Sequence, residues 1–316
     1  MTAEAIKTPE GPPSSITERT VAGRQARTRG LLLAPAMLVI GVFGILPLFI
    51  ALTYSFLEGG TYGGVEWVFS TEAYVQLLFE RDIFEETLTF NTAYLEIFWR
   101  SFLLAAFSTL ACLLIGFPAA YFMATRPAKS RDFWVFLITI PFWTNLLIRT
   151  FSIQLILRDE GVINIVLTEL GLLAQPLQLI YTDFAVGLGL IYSFLPFMVL
   201  PIYAALERLD FRLVEAGFDL YATRAQVLRR IVVPLAKPGI VAGSILVFIP
   251  GLGAWITPEL LGGGKELMIG NMIALQFGSS RNWPFGSAAA LVLMAMVLVA
   301  LVIYVRNVGK SGADHG

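Results

Sequence analysis

Residues 215–238 read EAGFDLYATRAQVLRRIVVPLAKP and form a charged segment between two long apolar stretches. The segment carries Arg224, Arg229, Arg230 and Lys237, yet apolar residues recur through it. In a chain that crosses a membrane, such a segment is suited to contact a partner in water. The rest of the sequence indicates what kind of partner this is.

The composition indicates a membrane protein. Of 316 residues, 57% are hydrophobic and 14% are charged, whereas soluble domains average roughly 25% charged residues. Six stretches approach the length of about 20 apolar residues that a membrane helix needs, the third only if it continues past Arg149 to Leu157. They are Leu31–Leu57, Ser101–Thr125, Phe133–Ile148, Phe184–Leu206, Pro238–Pro258 and Asn282–Val305. We therefore predict an all-α membrane protein with six transmembrane helices over residues 31–308.

The basic residues predict which side of the membrane each loop faces, because Lys and Arg accumulate on the cytoplasmic side. With six spans and both termini in the cytoplasm, segments 1–30, 126–132, 207–237 and 306–316 hold most of the 22 basic residues. A seventh span over Gly161–Tyr181 would place the most basic loop outside. We therefore predict that this stretch is a helix lying on or dipping into the outer face. Residues 1–30 are predicted to be a disordered cytoplasmic tail, and 309–316 a C-terminal cytoplasmic tail.

Residue types needed for catalysis or metal binding are scarce. The single histidine is His315, so the spans lack a histidine base. The single cysteine, Cys112, is expected to pack as a small apolar side chain, and no cluster of zinc ligands is apparent. Gly262–Gly264 precede Lys265 and Glu266, without the Ser or Thr of a phosphate-binding loop. We expect no enzyme activity, metal or cofactor in this chain, and a tight outer turn at these glycines directly before the last span.

On a helix over Val214–Val232, apolar residues recur at alternating spacings that make one apolar face. They are Val214, Phe218, Tyr221, Ala225, Leu228 and Val232. Charged residues, including Glu215 and Asp219, fall to one side of this face. Two interpretations remain open: a helix resting on lipid with its charges in water, and a helix that docks into a groove of a cytoplasmic partner.

The same segment resembles the coupling loop of binding-protein-dependent ABC importer permeases, which has the pattern E-A-A-x3-G-x9-I-x-L-P. Here residues 215–234 give E-A-G, three residues, Tyr221, nine residues and I-V-V-P, so the spacing holds. Gly217 replaces the second alanine, and Tyr221 stands where the family has a glycine that permits φ > 0. Tyrosine takes that conformation only at a cost. We expect either a turn in the right-handed region or an altered fit to the partner.

The resemblance implies that the loop of residues 207–237 forms a short coupling helix seated in a groove of an ATPase subunit. Glu215 and Asp219 would face the groove, and Ala216 and Gly217 would allow close approach. The residues assigned to this contact are Glu215, Ala216, Gly217, Asp219, Tyr221 and Arg224. The resemblance also implies a type I importer permease fold in the bacterial inner membrane. Its partners would be an ATPase dimer that binds the ATP, a second homologous permease, a periplasmic solute-binding protein and lipid, with no nucleic acid.

Three further stretches resemble the spermidine/putrescine permease subfamily, specifically the first of its two permease subunits. They are Pro141–Arg149, Leu195–Pro201 and Ile269–Gly286. The resemblance covers nearly all of the chain after the tail and implies a path for polyamines. The same architecture with another amine, an amino-acid derivative or an opine as substrate stays open. A self-sufficient secondary carrier would show internal repeats and functional charges within the spans, and no clear repeat is visible.

Candidate path residues follow from the chemistry of an ammonium substrate. Pro141 and Asn145 would break a helix at membrane depth, where freed backbone groups often line a path. Aromatic faces bind ammonium groups, and an acid near the membrane is a functional candidate. The candidates are Trp143, Asn145, Trp255, Glu259 and Asn271. For the tryptophans a place in the interfacial belt is the alternative, and for Glu259 a hydrated position at the end of a span.

Two pairs of residues make predictions about how the helices pack. Pro196 and Pro201 would kink the fourth span, either as a hinge or only as a shape for packing. Gly239 and Gly243 are spaced as GxxxG, which would allow a close contact between helices.

Overall fold

A computed structural model describes residues 32–81, 88–264 and 267–313. The chain divides into two units, Met1–Tyr54 and Ser55–Gly316. The described part of the first unit is one helix, α1 (Leu32–Tyr54). The second unit holds β1 (Leu57–Gly59), β2 (Val65–Phe69), α2 (Glu72–Val75), β3 (Phe79–Arg81), β4 (Leu88–Phe90), α3 (Ala93–Ala124), α4 (Ala128–Thr139), α5 (Leu146–Leu157), α6 (Val162–Glu169), α7 (Asp183–Glu207), α8 (Arg212–Asp219), α9 (Arg224–Leu252), α10 (Ile256–Gly262), α11 (Ile269–Phe277) and α12 (Trp283–Ala313).

Five described helices, α1, α3, α7, α9 and α12, are long and apolar enough to cross a membrane. Helices α4 to α6 add a sixth crossing if the bent segment counts as one span. In hydrocarbon a helix satisfies its own backbone groups, which is why the apolar stretches predicted these elements. The predicted tail of residues 1–30 lies outside the described residues. Helix α12 extends into the predicted C-terminal tail, of which residues 314–316 also lie outside them.

The third predicted span is broken, as Pro141 and Asn145 indicated. A 3₁₀ turn over Ile140–Trp143 follows α4, Thr144 and Asn145 adopt extended backbone, and the axis turns by 89°. Asn145 then caps α5, because its Oδ1 accepts a hydrogen bond from the backbone NH of Leu147 at 2.8 Å. Proline cannot donate to a helix ladder, and asparagine is a favoured N-cap, so the two residues together end one helix and begin the next.

The fifth predicted span needs correction at both ends. Helix α9 already begins at Arg224, so the basic loop runs directly into the span. The span ends at Leu252, and Gly253–Trp255 separate it from α10, so the predicted stretch Pro238–Pro258 is not one helix. Pro250 and the glycines around it weaken the helix at this point.

Two antiparallel hairpins in the segment between α1 and α3 were not predicted. Strand β1 pairs with β2, and β3 pairs with β4. Phe56 stacks on Phe69 across the first hairpin, and Phe79 meets Phe90 edge-on across the second. The described fold is therefore mainly helical, with small strand pairs that begin at Leu57, the last residue of the first predicted span.

Close packing of α3, α7 and α9 forms the largest core cluster of the described residues, which includes Cys112, Met198 and Val247. A Cβ added to Gly239 would lie 2.5 Å from the carbonyl oxygen of Pro201, and one at Gly243 would lie 2.9 Å from Sδ of Met198. The prediction that these two glycines permit a close helix contact is confirmed. Small residues at such contacts let helices gain van der Waals contact in lipid, where the hydrophobic effect does not drive association.

Helix α7 is tied to its neighbours at both of its ends. Asp183 accepts hydrogen bonds from Nε (2.9 Å) and Nη2 (2.5 Å) of Arg100 on α3. Glu207 pairs with Arg131 on α4 at 3.4 Å and accepts a hydrogen bond from the hydroxyl of Tyr203 at 3.0 Å. The helix runs without interruption through Pro196 and Pro201. Ion pairs of this exposure contribute little stability alone, so they serve mainly to fix the position of α7.

The predicted outer segments are short helices held by polar side chains. Within Gly161–Tyr181 the predicted helix is confirmed as α6, and Asn164 binds the backbone oxygens of Arg158 and Leu177 at 3.1 and 2.9 Å. The turn at Gly263 and Gly264 has positive φ at both glycines. It precedes α11 and not the last span directly, which corrects the predicted position of the turn.

Candidate functional site

The basic loop, residues 207–237, forms two helices where one was predicted. Helix α8 ends at Asp219, and α9 begins at Arg224. The NH of Ala222 bonds to the carbonyl oxygen of Gly217 at 3.1 Å, closing the end of α8. Thr223 and Gln226 then form a capping box that starts α9. These local bonds outweigh the apolar periodicity that favoured a continuous helix.

Tyr221 makes the turn between the two helices in the left-handed region. Its φ is 57°, a conformation that costs a residue with a Cβ about 1–2 kcal/mol. Its side chain is 96% exposed, and that of Leu220 is 81% exposed. The predicted continuous apolar face is therefore wrong, because Val214 and Val232 are buried while Tyr221 points away from the protein. Of the two alternatives for this position, the right-handed turn is excluded by the positive φ. A strained, exposed aromatic residue marks the tip of the basic loop.

The six residues assigned to an ATPase contact divide into two groups. Five are exposed: Glu215, Ala216, Asp219, Tyr221 and Arg224. Gly217 is buried, and a Cβ there would lie 2.9 Å from Cδ1 of Ile231. The small size of Gly217 therefore serves the contact between α8 and α9, while the other five lie on the surface.

The basic loop is anchored in the core of the helical bundle. Val214, Val227 and Val232 belong to the same buried cluster as Met198 and Leu206 of α7. A cavity of about 440 Å³ separates Phe218 and Arg224 from the end of α3. Because α9 is continuous from the loop into the span, a force on the loop acts directly on a membrane helix.

A second group of predicted residues surrounds the break in the third span. Trp143 is 84% exposed at the break, and Asn145 is exposed beside it. Trp255, 53% exposed, lines a cavity of about 250 Å³ together with Phe142 and Arg149. Trp143 and Asn145 do not line this cavity. Arg149 was not predicted as a site residue, although a single charge inside an apolar stretch was the signal that could have found it.

Glu259 and Asn271 lie together. The Nδ2 of Asn271 is 3.5 Å from Oε2 of Glu259. The Oδ1 of Asn271 accepts a 2.6 Å hydrogen bond from the NH of Met268, and only 1% of the residue is exposed. Asn271 therefore starts α11 from a buried position, while Glu259 is exposed. Ser101 of α3 supports the same helix by accepting a hydrogen bond from the NH of Ile269 at 2.8 Å.

No group of three or more His, Cys, Asp or Glu side chains arranged to hold a metal ion occurs among residues 32–81, 88–264 and 267–313. Cys112 is buried in the described core and forms no disulfide there. The described site thus consists of an exposed loop tip at one place and a mid-span cavity at another.

Solved structures support this architecture. A chain of a bacterial ABC transporter involved in the import of the acidic polysaccharide alginate superposes with a TM-score of 0.65 at 19% identity. It covers 89% of this chain and 98% of its own. The alginate transporter in complex with a periplasmic protein bound to an alginate pentasaccharide gives the same score at 17% identity. At these identities the likeness establishes the fold of an ABC importer permease.

Curated relatives and a family model identify the family. The spermidine/putrescine transport system permease protein PotB of Escherichia coli is 39% identical over 265 residues, covering 84% of this chain and 92% of PotB. PotB of Haemophilus influenzae is 42% identical over 220 residues, covering 70% of this chain and 77% of PotB. The model of the binding-protein-dependent transport system inner membrane component matches residues 113–308. This chain therefore belongs to that family of multi-pass inner-membrane permeases, which are transport components and not enzymes.

Proposed function

We propose that this chain is a permease subunit of an ATP-driven importer of polyamines such as spermidine and putrescine. The observation that carries the proposal is the identity of about 40% to PotB proteins over 84% of the chain. A second homologous permease, two ATPase subunits and a periplasmic solute-binding protein complete the transporter. Both termini lie in the cytoplasm, as the distribution of basic residues indicates. ATP is bound by the ATPase subunits, and this chain needs no cofactor.

The basic loop is the contact with the ATPase. Glu215, Asp219, Tyr221 and Arg224 are exposed on it, and Ala216 leaves room for close approach. When the ATPase dimer closes on ATP, it moves the loop. Helix α9 and the buried valines of the loop pass this movement to α7 and α3. The helices then tilt from an inward-facing to an outward-facing arrangement, and the binding protein releases its cargo.

The substrate path lies along the broken elements of the bundle. Trp143 and Trp255 are exposed aromatic residues whose faces suit ammonium groups. Asn145 lies exposed at the break beside Trp143. Glu259 offers a negative charge, oriented by Asn271. Each supports a path for a cationic solute that the two permeases enclose together.

Uptake of labelled spermidine and putrescine tests the proposed function. Cells that lack polyamine uptake should regain it only when this chain is expressed with the ATPase, the second permease and the binding protein. Uptake of another amine, an amino-acid derivative or an opine in place of polyamines would support an importer of the same architecture with a different substrate. Uptake by this chain alone in liposomes would instead establish a self-sufficient carrier and overturn the importer.

A further inference from the structure

Arg149 carries a charge that the described chain does not neutralise. Its Nε is buried and makes no hydrogen bond with any described residue. Neither of the ion pairs found within residues 32–81, 88–264 and 267–313 involves it. Glu259, on the neighbouring helix α10, lies beside Asn271 instead. Arg149 as a whole is half-buried, and an ionisable side chain at membrane depth that is unpaired within its own chain faces a partner or a water-filled cavity.

The position of Arg149 excludes lipid phosphate as its partner. Its cavity reaches Ser193 and Phe197 on α7. Helix α7 begins at Asp183 and rises 1.5 Å per residue, so these residues lie about 15–20 Å along it. That distance is near the middle of a hydrocarbon core about 30 Å thick. Phosphate groups lie outside this core, and ionisable residues at such depth face partners or a cavity.

The surroundings of Arg149 indicate where the anion comes from. The cavity is small, about 250 Å³, and its walls include Phe142, Phe197 and Trp255. Beside it, Ile148 is 65% exposed and Trp143 is 84% exposed. An uncovered apolar face next to an unpaired cation fits a membrane helix that carries one carboxylate. A polyamine is itself a cation and cannot neutralise a guanidinium.

We propose that Arg149 forms an ion pair, within the membrane, with an Asp or Glu on a span of the second permease subunit. This inference rests on the proposed function, which supplies that subunit. A carboxylate can accept two parallel hydrogen bonds from a guanidinium, and the cavity of about 250 Å³ leaves room for its side chain. The pair joins α5, directly after the break in the third span, to the partner permease and makes Arg149 a positioning residue for the substrate path.

Charge reversal in the complete, reconstituted transporter tests this pair. Arg149→Glu is combined with the reversal to Arg of each Asp or Glu in the spans of the second permease, one at a time. Co-purification of the two permeases and polyamine-stimulated ATP hydrolysis are measured. Each single reversal at the pair should lower stimulated hydrolysis about tenfold or more, and the double reversal should restore most of it, since contacting residues are not additive. Arg158→Glu, an exposed arginine just after α5, is the matched control and should keep its activity.

A second pair of variants tests the same ion pair if the charge-reversed proteins fail to assemble. Arg149→Met, combined with Leu at the partner's acid, removes both charges and should assemble better than either single neutral variant. Spans of the second permease without Asp or Glu would overturn the proposal. So would the absence of rescue in both pairs, or an Arg149→Glu variant that behaves like Arg158→Glu. If polyamines stimulate the wild-type complex in those cases, only the ion pair is wrong; a wild-type complex without stimulation overturns the proposed substrate instead.

Discussion

The substitution Gly239→Ala tests how closely α7 and α9 pack against each other. The added Cβ would lie 2.5 Å from the carbonyl oxygen of Pro201, 2.7 Å from Cβ of Ala205 and 2.9 Å from Cα of Ile202. Two of these atoms belong to the backbone of α7, so the helices must separate. Overpacking of this kind costs about 1–3 kcal/mol, while alanine in a helix otherwise gains roughly 0.5–1 kcal/mol over glycine. We expect a net loss of about 1–2 kcal/mol.

Gly187→Ala on α7 is the matched control. Its Cβ would lie 3.7 Å from the ring of Phe107, an ordinary contact, so this variant should be neutral or slightly stabilised. Thermal unfolding of the detergent-solubilised protein compares the two. Gly239→Ala should unfold at the lower temperature and, because α9 carries the basic loop, should also weaken stimulated ATP hydrolysis. Equal stability of the two variants would refute the close contact of α7 and α9.

Three further substitutions test the basic loop and the substrate path. Glu215→Ala should abolish substrate-stimulated ATP hydrolysis and leave co-purification of the complex largely intact; normal transport by this variant would contradict the assignment of the loop. Glu259→Gln should lower polyamine uptake more than it lowers binding of the ATPase. Unchanged uptake would indicate that Glu259 is only a hydrated surface residue. Tyr221→Gly should be more stable than Tyr221→Ala by about 1 kcal/mol, because alanine keeps the Cβ that disfavours positive φ. Equal unfolding temperatures of these two variants would show that the turn is not strained.

The sequence predicted those parts of the fold that depend on local chemistry. Apolar length gave five helices capable of spanning a membrane, and Pro141 and Asn145 indicated the break in the third span. The spacing of Gly239 and Gly243 predicted a close helix contact. Each of these features depends on interactions within one helix or between two helices, so a few residues are enough to predict it.

Other features depend on contacts that periodicity does not contain. The capping box at Thr223 and the bond from Ala222 to Gly217 divide the basic loop, although the apolar spacing continues across the break. Gly217 occupies a position of the motif for partner contact, but its lack of a side chain accommodates Ile231. Arg149 was visible as a charge in an apolar stretch, yet only the structure shows that its Nε is buried without a hydrogen bond among the described residues.

The most direct test of the central claim is ATP hydrolysis by the reconstituted complex of this chain, the second permease and the ATPase. Purified binding protein is added with spermidine, with putrescine, and with a set of other amines and amino acids. The account predicts that polyamines stimulate hydrolysis and that the other solutes do not. Stimulation by another solute alone would contradict the polyamine assignment, and failure of the ATPase to co-purify with this chain would contradict the importer.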